Sequence, residues 1–204
     1  MKLYFIPGTC SLADHIVLEW IGCPYDTRQV ARDALRSPEY LKINPAGVVP
    51  TLEDDDGWVL TENVAILNYL LDRFPEAGLG GDNGLRDRAE TNRWLAYLNS
   101  DVHKAFGPIF SPARFHPDPS QHDALKQAAR ARIALLLGPV ESRLTDRDWL
   151  AGHRSPADAY LFVILRWAMA HGIDLADKPR LQAHFARMKA DAGVQRALKA
   201  QGLE

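Results

Sequence analysis

The sequence predicts an α/β domain followed by a domain made only of helices, and two observations support this division. Residues 1–76 alternate short apolar runs and helical spacing in the order β-α-β-α-β-β-α. Beyond residue 84 no period-two pattern follows, and the apolar residues recur at helical spacing, which is typical of a helical bundle. Residues 77–84 contain several glycines and are interpreted as a linker, so the second domain covers 85–204. Its predicted helices are 85–106, 120–144, 158–171 and 178–199.

The first helix is predicted to follow a tight turn. Residues 2–6 are aromatic or branched and favour a strand, which Pro7 and Gly8 end. Apolar residues at helical spacing come next, and Gly22 is a plausible stop. Residues 25–30 favour a second strand, so the chain is expected to begin with a β-α-β unit.

Three helix starts are predicted from capping residues. Ser37 precedes Pro38, a favoured order of cap and first helical residue. Thr61 precedes another apolar helix and is expected to cap it. Ser155 and Asp158 have the spacing of a capping box, with Asp in place of Glu or Gln.

Composition excludes several classes of protein. The chain has 204 residues, a net charge of −2 and a pI near 6.4, without the basic excess of a nucleic-acid binder. Its 2 cysteines are too few for a secreted disulfide framework. The longest apolar stretch, 161–170, is too short to cross a bilayer. We expect a cytoplasmic protein that does not bind membranes.

Cys10 is the leading candidate for a reactive side chain. It lies at a predicted helix N-terminus, where the helix dipole and free N–H groups favour a thiolate and can lower the thiol pKa. The alternative is a small packed residue. Ala13 occupies the place of a second cysteine, which argues against a dithiol oxidoreductase. Cys23 is expected to be packed.

Two further segments offer polar groups without metal-ligand spacing. Glu62 and Asn63 precede an apolar helix, whose free N–H groups can bind a carboxylate. His103 is a single histidine on a predicted helix, and such residues are more often structural. No histidine is spaced with cysteines or carboxylates as in a zinc site, so no metal is expected.

Taken together, five segments resemble the cytosolic glutathione transferases of the bacterial beta class. They are MKLYFIPGTCSLA at 1–13, NPAGVVPTL at 44–52, LTENVAI at 60–66, DVHK at 101–104 and ADAYL at 157–161. Each segment alone is weakly specific, but five in the family's order across the whole chain are highly specific.

The resemblance implies a thioredoxin-like N-terminal domain, an all-α C-terminal domain and a homodimer that binds glutathione between the domains. It makes Val49-Pro50 a cis pair. It assigns to the site Cys10, Ser11 and His103 at the thiol, and Val49, Pro50, Glu62, Asn63 and Lys104 around the rest of glutathione. The chain differs from the family pattern at Phe5, Asn63 and Ala96, which alters the expected polar shell.

The predicted function is therefore transfer of glutathione to a small apolar electrophile. Exchange between Cys10 and a glutathione mixed disulfide would use the same cleft, and the sequence does not choose between the two. A non-catalytic binding protein on the same fold is the alternative from another class. A glutathione-dependent isomerase or dehalogenase is less favoured, because a serine-rich loop would be expected in place of Pro-Gly-Thr-Cys.

Overall fold

The computed structural model describes residues 1–82 and 84–203, which form a four-stranded sheet and a set of α-helices. The strands are β1 (Lys2–Phe5), β2 (Asp26–Gln29), β3 (Thr51–Glu53) and β4 (Val59–Thr61). The helices are α1 (Ser11–Ile21), α2 (Pro38–Ile43), α3 (Asn63–Arg73), α4 (Leu85–Tyr97), α5 (Gly107–Phe110), α6 (His122–Arg143), α7 (Pro156–Ala170), α8 (Pro179–Ala190) and α9 (Ala192–Ala200).

The sheet is mixed, with the strand order β2-β1-β3-β4. β1 runs parallel to β2, while β3 is antiparallel to both β1 and β4. Because side chains alternate along a strand, β1 serves two clusters. Leu3 and Phe5 join the main core, and Tyr4 and Ile6 pack with Tyr40 of α2 on the opposite face.

α7 is the central helix of the second part, and it is buried on nearly every side. Twelve of its fifteen residues are buried, which explains why its sequence is apolar all round rather than striped. α1 packs against α3, α7 and α9, so the helix that follows Cys10 is fixed between the sheet and the helical part. The predicted thioredoxin-like domain followed by a helical domain is confirmed, while the boundaries at 76 and 85 stay predictions.

Two predicted helices are interrupted. In the helix predicted over 85–106, α-helical geometry holds to Tyr97, residues 98–103 continue it as a wider π-helical turn, and 104–105 are again α-helical. The helix predicted over 178–199 divides at Asp191, whose side chain accepts a hydrogen bond from Val194 N (3.0 Å) and starts α9. An N-capping residue inside an apolar pattern ends one helix and begins another, which periodicity alone does not reveal.

Two of the three predicted caps are confirmed. Ser37 accepts a hydrogen bond from Tyr40 N (3.2 Å), and Ser155 forms its capping box with Asp158. Thr61 was the wrong choice for α3, because it belongs to β4 and Glu62 is the residue that flanks the helix.

Within residues 1–82 and 84–203, no helix is both long and apolar enough to cross a membrane. The same residues contain no group of three or more His, Cys, Asp or Glu side chains arranged to hold a metal ion.

Candidate functional site

The turn between β1 and α1 positions Cys10 at the start of the helix. Thr9 N donates to Ile6 O (3.2 Å), and Gly8 takes a φ of +73°, which glycine adopts without strain. Cys10 flanks the first helical residue, and its Sγ lies 3.7 Å from Val49 O, within donating range for a thiol. The sulfur therefore faces the loop before β3.

The Val49–Pro50 peptide bond is cis, as the family resemblance implies. The side chain of Asn44 holds the preceding turn by donating to Val48 O (2.8 Å), and Tyr40 Oη donates to the same oxygen (2.7 Å). These two bonds fix the loop that carries Val49 opposite Cys10.

The start of α3 forms the third wall of this region. Glu62 is exposed and takes a φ of +72°, the one positive φ of a non-glycine residue in the described part of the chain. Asn63 follows and is buried, with 5% of its surface exposed. Neither its Nδ2 nor its Oδ1 has a hydrogen-bond partner among the described residues. A strained backbone beside an unsatisfied buried amide is a common signature of a binding site.

His103 lies in the π-helical turn and is held by a buried tyrosine. Its Nδ1 lies 2.6 Å from Tyr160 Oη of α7, and Tyr160 Oη also donates to Asn99 Oδ1 (3.0 Å). The imidazole ring packs on Trp167, with ring centroids 4.8 Å apart. The π-helical turn thus brings both Asn99 and His103 to one phenol.

The electrostatics of Cys10 differ from the sequence-based expectation. Burial, together with the carboxyl group of Asp14, raises the pKa of the Cys10 thiol to about 12. Backbone N–H groups at the helix start oppose this effect but do not overcome it. The prediction of a lowered thiol pKa at this position is wrong for the chain without bound ligand, because desolvation of the thiolate outweighs the helix dipole.

His103 is neutral at physiological pH. Burial lowers the pKa of its imidazole to about 4, and the neighbouring Lys104 contributes to the same shift. One phenolic proton cannot serve both of its neighbours. When Tyr160 donates to Asn99, Nδ1 of His103 carries the proton and Nε2 keeps a lone pair.

The other predicted site residues are Ser11 and Lys104, and Phe5 and Ala96 are positions at which the chain differs from the family pattern. Ser11 is fully buried, and its hydroxyl lies 3.3 Å from Ile6 O and 2.7 Å from Thr9 Oγ1, so it braces the turn. Lys104 is exposed beside His103. Phe5 faces the core, and Ala96 is exposed on α4. Sequence reasoning missed the following: Asn99, Tyr160 and Asp14.

A clamp from the far end of the chain holds the turn that carries Cys10. Gly8 N donates to Gln201 Oε1 (3.1 Å), and Gln201 Nε2 lies 3.1 Å from His15 Nδ1. Trp167 Nε1 donates to Gly8 O (2.7 Å). Both backbone groups of Gly8 are therefore satisfied by residues of the helical part.

An aromatic surface continues from His103 along α5 and α7. Phe106 and Phe110 stack at 5.4 Å, and Phe110 meets Trp167 edge to face at 5.2 Å. Phe110 is 43% exposed, so the cluster offers an apolar face to solvent next to the cleft. A cavity of about 350 Å³ is lined by Gly8, Arg166, Trp167, Met169, Ala170 and Phe185.

Comparisons with known proteins agree with this geometry. The chain matches the family model of the glutathione S-transferase N-terminal domain over residues 9–73 and that of the C-terminal domain over 97–191. It is 50% identical to glutathione S-transferase GST-4.5 of Xanthomonas campestris and 39% identical to glutathione S-transferase GstA of Escherichia coli O157:H7, with complete coverage of all chains.

Solved structures give the same result. A glutathione S-transferase from Xylella fastidiosa has a TM-score of 0.95 at 47% identity, covering 100% of this chain and 99% of that one. A beta-class enzyme from Sphingomonas chungbukensis and a sphingomonad enzyme complexed with glutathione each have a TM-score of 0.88 at 38% identity, with full coverage of both chains. The chain belongs to the glutathione S-transferase family.

Proposed function

We propose that this chain is a glutathione transferase whose glutathione lies in the cleft between Cys10, Val49 and the start of α3. The observation that supports it most strongly is the position of Cys10 Sγ, 3.7 Å from the carbonyl of the cis Val49–Pro50 pair. The related sphingomonad structure contains glutathione, and its fold superposes on this chain over its full length.

Each part of the tripeptide finds a complementary group. The backbone of Val49, before Pro50, offers extended-chain hydrogen bonding to the cysteinyl part. The first N–H groups of α3 have no intrahelical acceptor and suit the γ-glutamyl carboxylate. The carboxylate of Glu62 is exposed and suits the ammonium group, while Asn63 has a buried amide that lacks a partner. Lys104 is exposed and suits the second carboxylate.

In the proposed conjugation, the glutathione thiolate attacks the electrophilic carbon, a carbon–sulfur bond forms and the leaving group departs with its electron pair. Cys10 keeps its proton and donates a hydrogen bond to the glutathione sulfur, since burial disfavours its own ionisation. Neutral His103 accepts the glutathione thiol proton at Nε2, and Ser11 braces the turn.

The electrophile is proposed to be a small apolar molecule that lies against the aromatic face of Phe110 and Trp167. This face is the exposed part of an otherwise buried cluster, and it adjoins His103. The Phe110→Ala variant is expected to raise KM for an apolar electrophile severalfold and leave KM for glutathione unchanged. The matched control is Leu135→Ala, which trims another exposed apolar side chain away from the cleft.

The test combines calorimetric titration with glutathione, conjugation of a chloronitrobenzene and reduction of a glutathione mixed disulfide. We expect binding and conjugation by the natural protein, and loss of disulfide exchange in Cys10→Ala. Binding without either reaction would instead identify a non-catalytic binding protein. Unchanged exchange in Cys10→Ala would refute the assignment of Cys10 to the thiol site.

We also propose a homodimer in the cytoplasm. Val48, Trp58 and Leu85 are exposed apolar side chains (46%, 48% and 88%) that suit contact with a second copy. Cys10 and Cys23 are both unpaired thiols, which fits a reducing compartment. Light scattering during gel filtration tests the oligomeric state, and a monomer at micromolar concentration would refute the dimer.

A further inference from the structure

Asp14 is a fully buried carboxyl group that the proposed reaction does not use. It lies in α1 one helical turn after Cys10, with 0% of its surface exposed. Neither carboxyl oxygen has a hydrogen-bond partner among the described residues. An ionised carboxylate in such a place is costly, so burial raises the pKa of Asp14 well above its ordinary value. Its own backbone N–H opposes this rise only in part.

The ionisable groups on which the Asp14 carboxyl group acts lie on two elements, the start of α1 and α7. On α1 the neighbour is Cys10, since residues four apart lie on the same helix face. On α7 it is Tyr160, whose pKa is raised first by burial and then by Cys10, Asp14 and Glu62. Glu62, which precedes α3, acts on the same two groups, because its charge also raises the pKa of Cys10 and of Tyr160. The titratable members of this group are all acids, and none supplies a positive charge.

We propose that Asp14 is a positioning residue that holds Cys10 in its thiol form, because a fully buried carboxyl group and a sulfur one helical turn away do not both carry a negative charge. Two acids this close titrate as a coupled pair. Once the carboxyl group has lost its proton, its charge keeps the proton on the sulfur. Asp14 thereby keeps Cys10 as a hydrogen-bond donor.

The charge of Asp14 also bears on which of the two proposed reactions takes place in the cleft, conjugation or disulfide exchange. A Cys10 thiol can donate to the sulfur of glutathione but is a poor nucleophile, since thiolates attack disulfides. At pH values where its carboxyl group is ionised, Asp14 therefore favours conjugation over exchange. Removing its charge is expected to shift the balance towards a mixed disulfide, in which Cys10 Sγ bonds to the glutathione sulfur and the second thiol of the disulfide leaves.

The experiment compares alkylation of Cys10 by iodoacetamide in the natural protein and in Asp14→Asn, from about pH 7 to about pH 11. Peptide mass spectrometry follows Cys10 and Cys23 separately. At pH values above the titration of Asp14 and below that of Cys10, we expect the rate at Cys10 to rise about tenfold in the variant, which corresponds to a shift of one pKa unit. Cys23, at the other end of α1, serves as an internal reference in the same molecule.

A matched control is Glu62→Gln, which removes an exposed charge that also acts on Cys10. Because water screens an exposed charge, its effect is expected to be clearly smaller. An unchanged or slower rate at Cys10 in Asp14→Asn would overturn the proposal. Parallel acceleration of Cys23 would also overturn it, because it would indicate a loosened helix. Asp14→Ser provides a second neutral variant if Asp14→Asn does not fold.

The inference rests on the proposed function only for its meaning in catalysis, since alkylation requires no glutathione. Faster alkylation of Cys10 in a protein that does not bind glutathione would refute the proposed function and support the role of Asp14. Normal conjugation with unchanged alkylation would do the reverse.

Discussion

Replacing Tyr160 with Phe removes the hydroxyl that joins His103 to Asn99 and leaves the buried ring in place. Two contacts are lost, at 2.6 Å and 3.0 Å. A partner left unsatisfied in the interior costs about 1–3 kcal/mol. His103 and Asn99 are half-buried rather than fully buried, so water can replace part of each contact and the lower end of that range applies. We expect the free energy of unfolding to fall by about 2 kcal/mol, about 1 kcal/mol for each of the two partners.

Urea unfolding followed by far-UV circular dichroism measures this change, and Tyr97→Phe is the matched control. Tyr97 is half-buried and makes one hydrogen bond, to Leu136 O (2.8 Å), so its loss is expected to cost about 1 kcal/mol. A cost for Tyr160→Phe no greater than for Tyr97→Phe would show that the phenol does not hold His103. The same variant is expected to lower kcat for conjugation while KM for glutathione changes little, because the loosened imidazole is proposed to act on the thiol proton.

Three further predictions concern pH, a buried carboxylate and a turn. The folded-state pKa of His103, about 4, lies below its ordinary 6.5, so the unfolded chain takes up the proton first as pH falls. The free energy of unfolding is therefore highest above about pH 6.5 and falls by up to about 3 kcal/mol as the pH drops to about 4. Urea unfolding should show a shallower pH dependence of this free energy in His103→Gln than in the natural protein. An equal pH dependence in the two proteins would contradict this prediction. Asp158 accepts hydrogen bonds from Leu150 N (3.0 Å) and Ser155 N (2.9 Å) and lies 3.1 Å from His184 Nε2, so Asp158→Ala should lower the free energy of unfolding by about 3–5 kcal/mol. Removal of the half-buried cap in Ser37→Ala should cost about 1 kcal/mol, and similar costs for the two variants would refute the argument. Gly47 has a φ of +61°, and an added Cβ would lie 2.7 Å from Leu35 O. Gly47→Ala should therefore lower the melting temperature more than Gly57→Ala, whose added Cβ would meet nothing within 4 Å. The reverse order of melting temperatures would contradict this prediction.

The order of strands and helices could be predicted because it depends on local patterns. The run before Pro7 and the capping box at Ser155 state their structure within a few residues. The failed predictions depend on other parts of the chain. The cap at Thr61 was wrong because pairing of β3 with β4 takes that residue into the sheet. The π-helical turn before α5 is set by packing on α7, which helical spacing does not show.

In the candidate site, too, the features set by local sequence were predictable, and those set by distant parts of the chain were not. The cis peptide at Val49–Pro50 was expected from the family resemblance, and the position of Cys10 at the start of a helix was expected from local spacing; the structure agrees with both. The charge state of Cys10 was not predictable, because it depends on how deeply the sulfur is buried and on a carboxyl group that sequence spacing gives no reason to single out. Tyr160 was visible only as part of an apolar helix, since the partners of its hydroxyl lie about 60 residues earlier.

The clamp on Gly8 has a consequence for synthesis. The turn beside Cys10 is tied to Gln201, 193 positions later in the chain. At about 5–20 residues per second, a ribosome needs roughly 10–40 s to make the intervening segment. During that interval the strand and helix on either side of the turn can form, but the turn lacks its hydrogen bond to Gln201. A nascent chain therefore acquires its finished thiol loop late, and a molecule truncated before residue 201 lacks that loop's tether even where the sheet has folded.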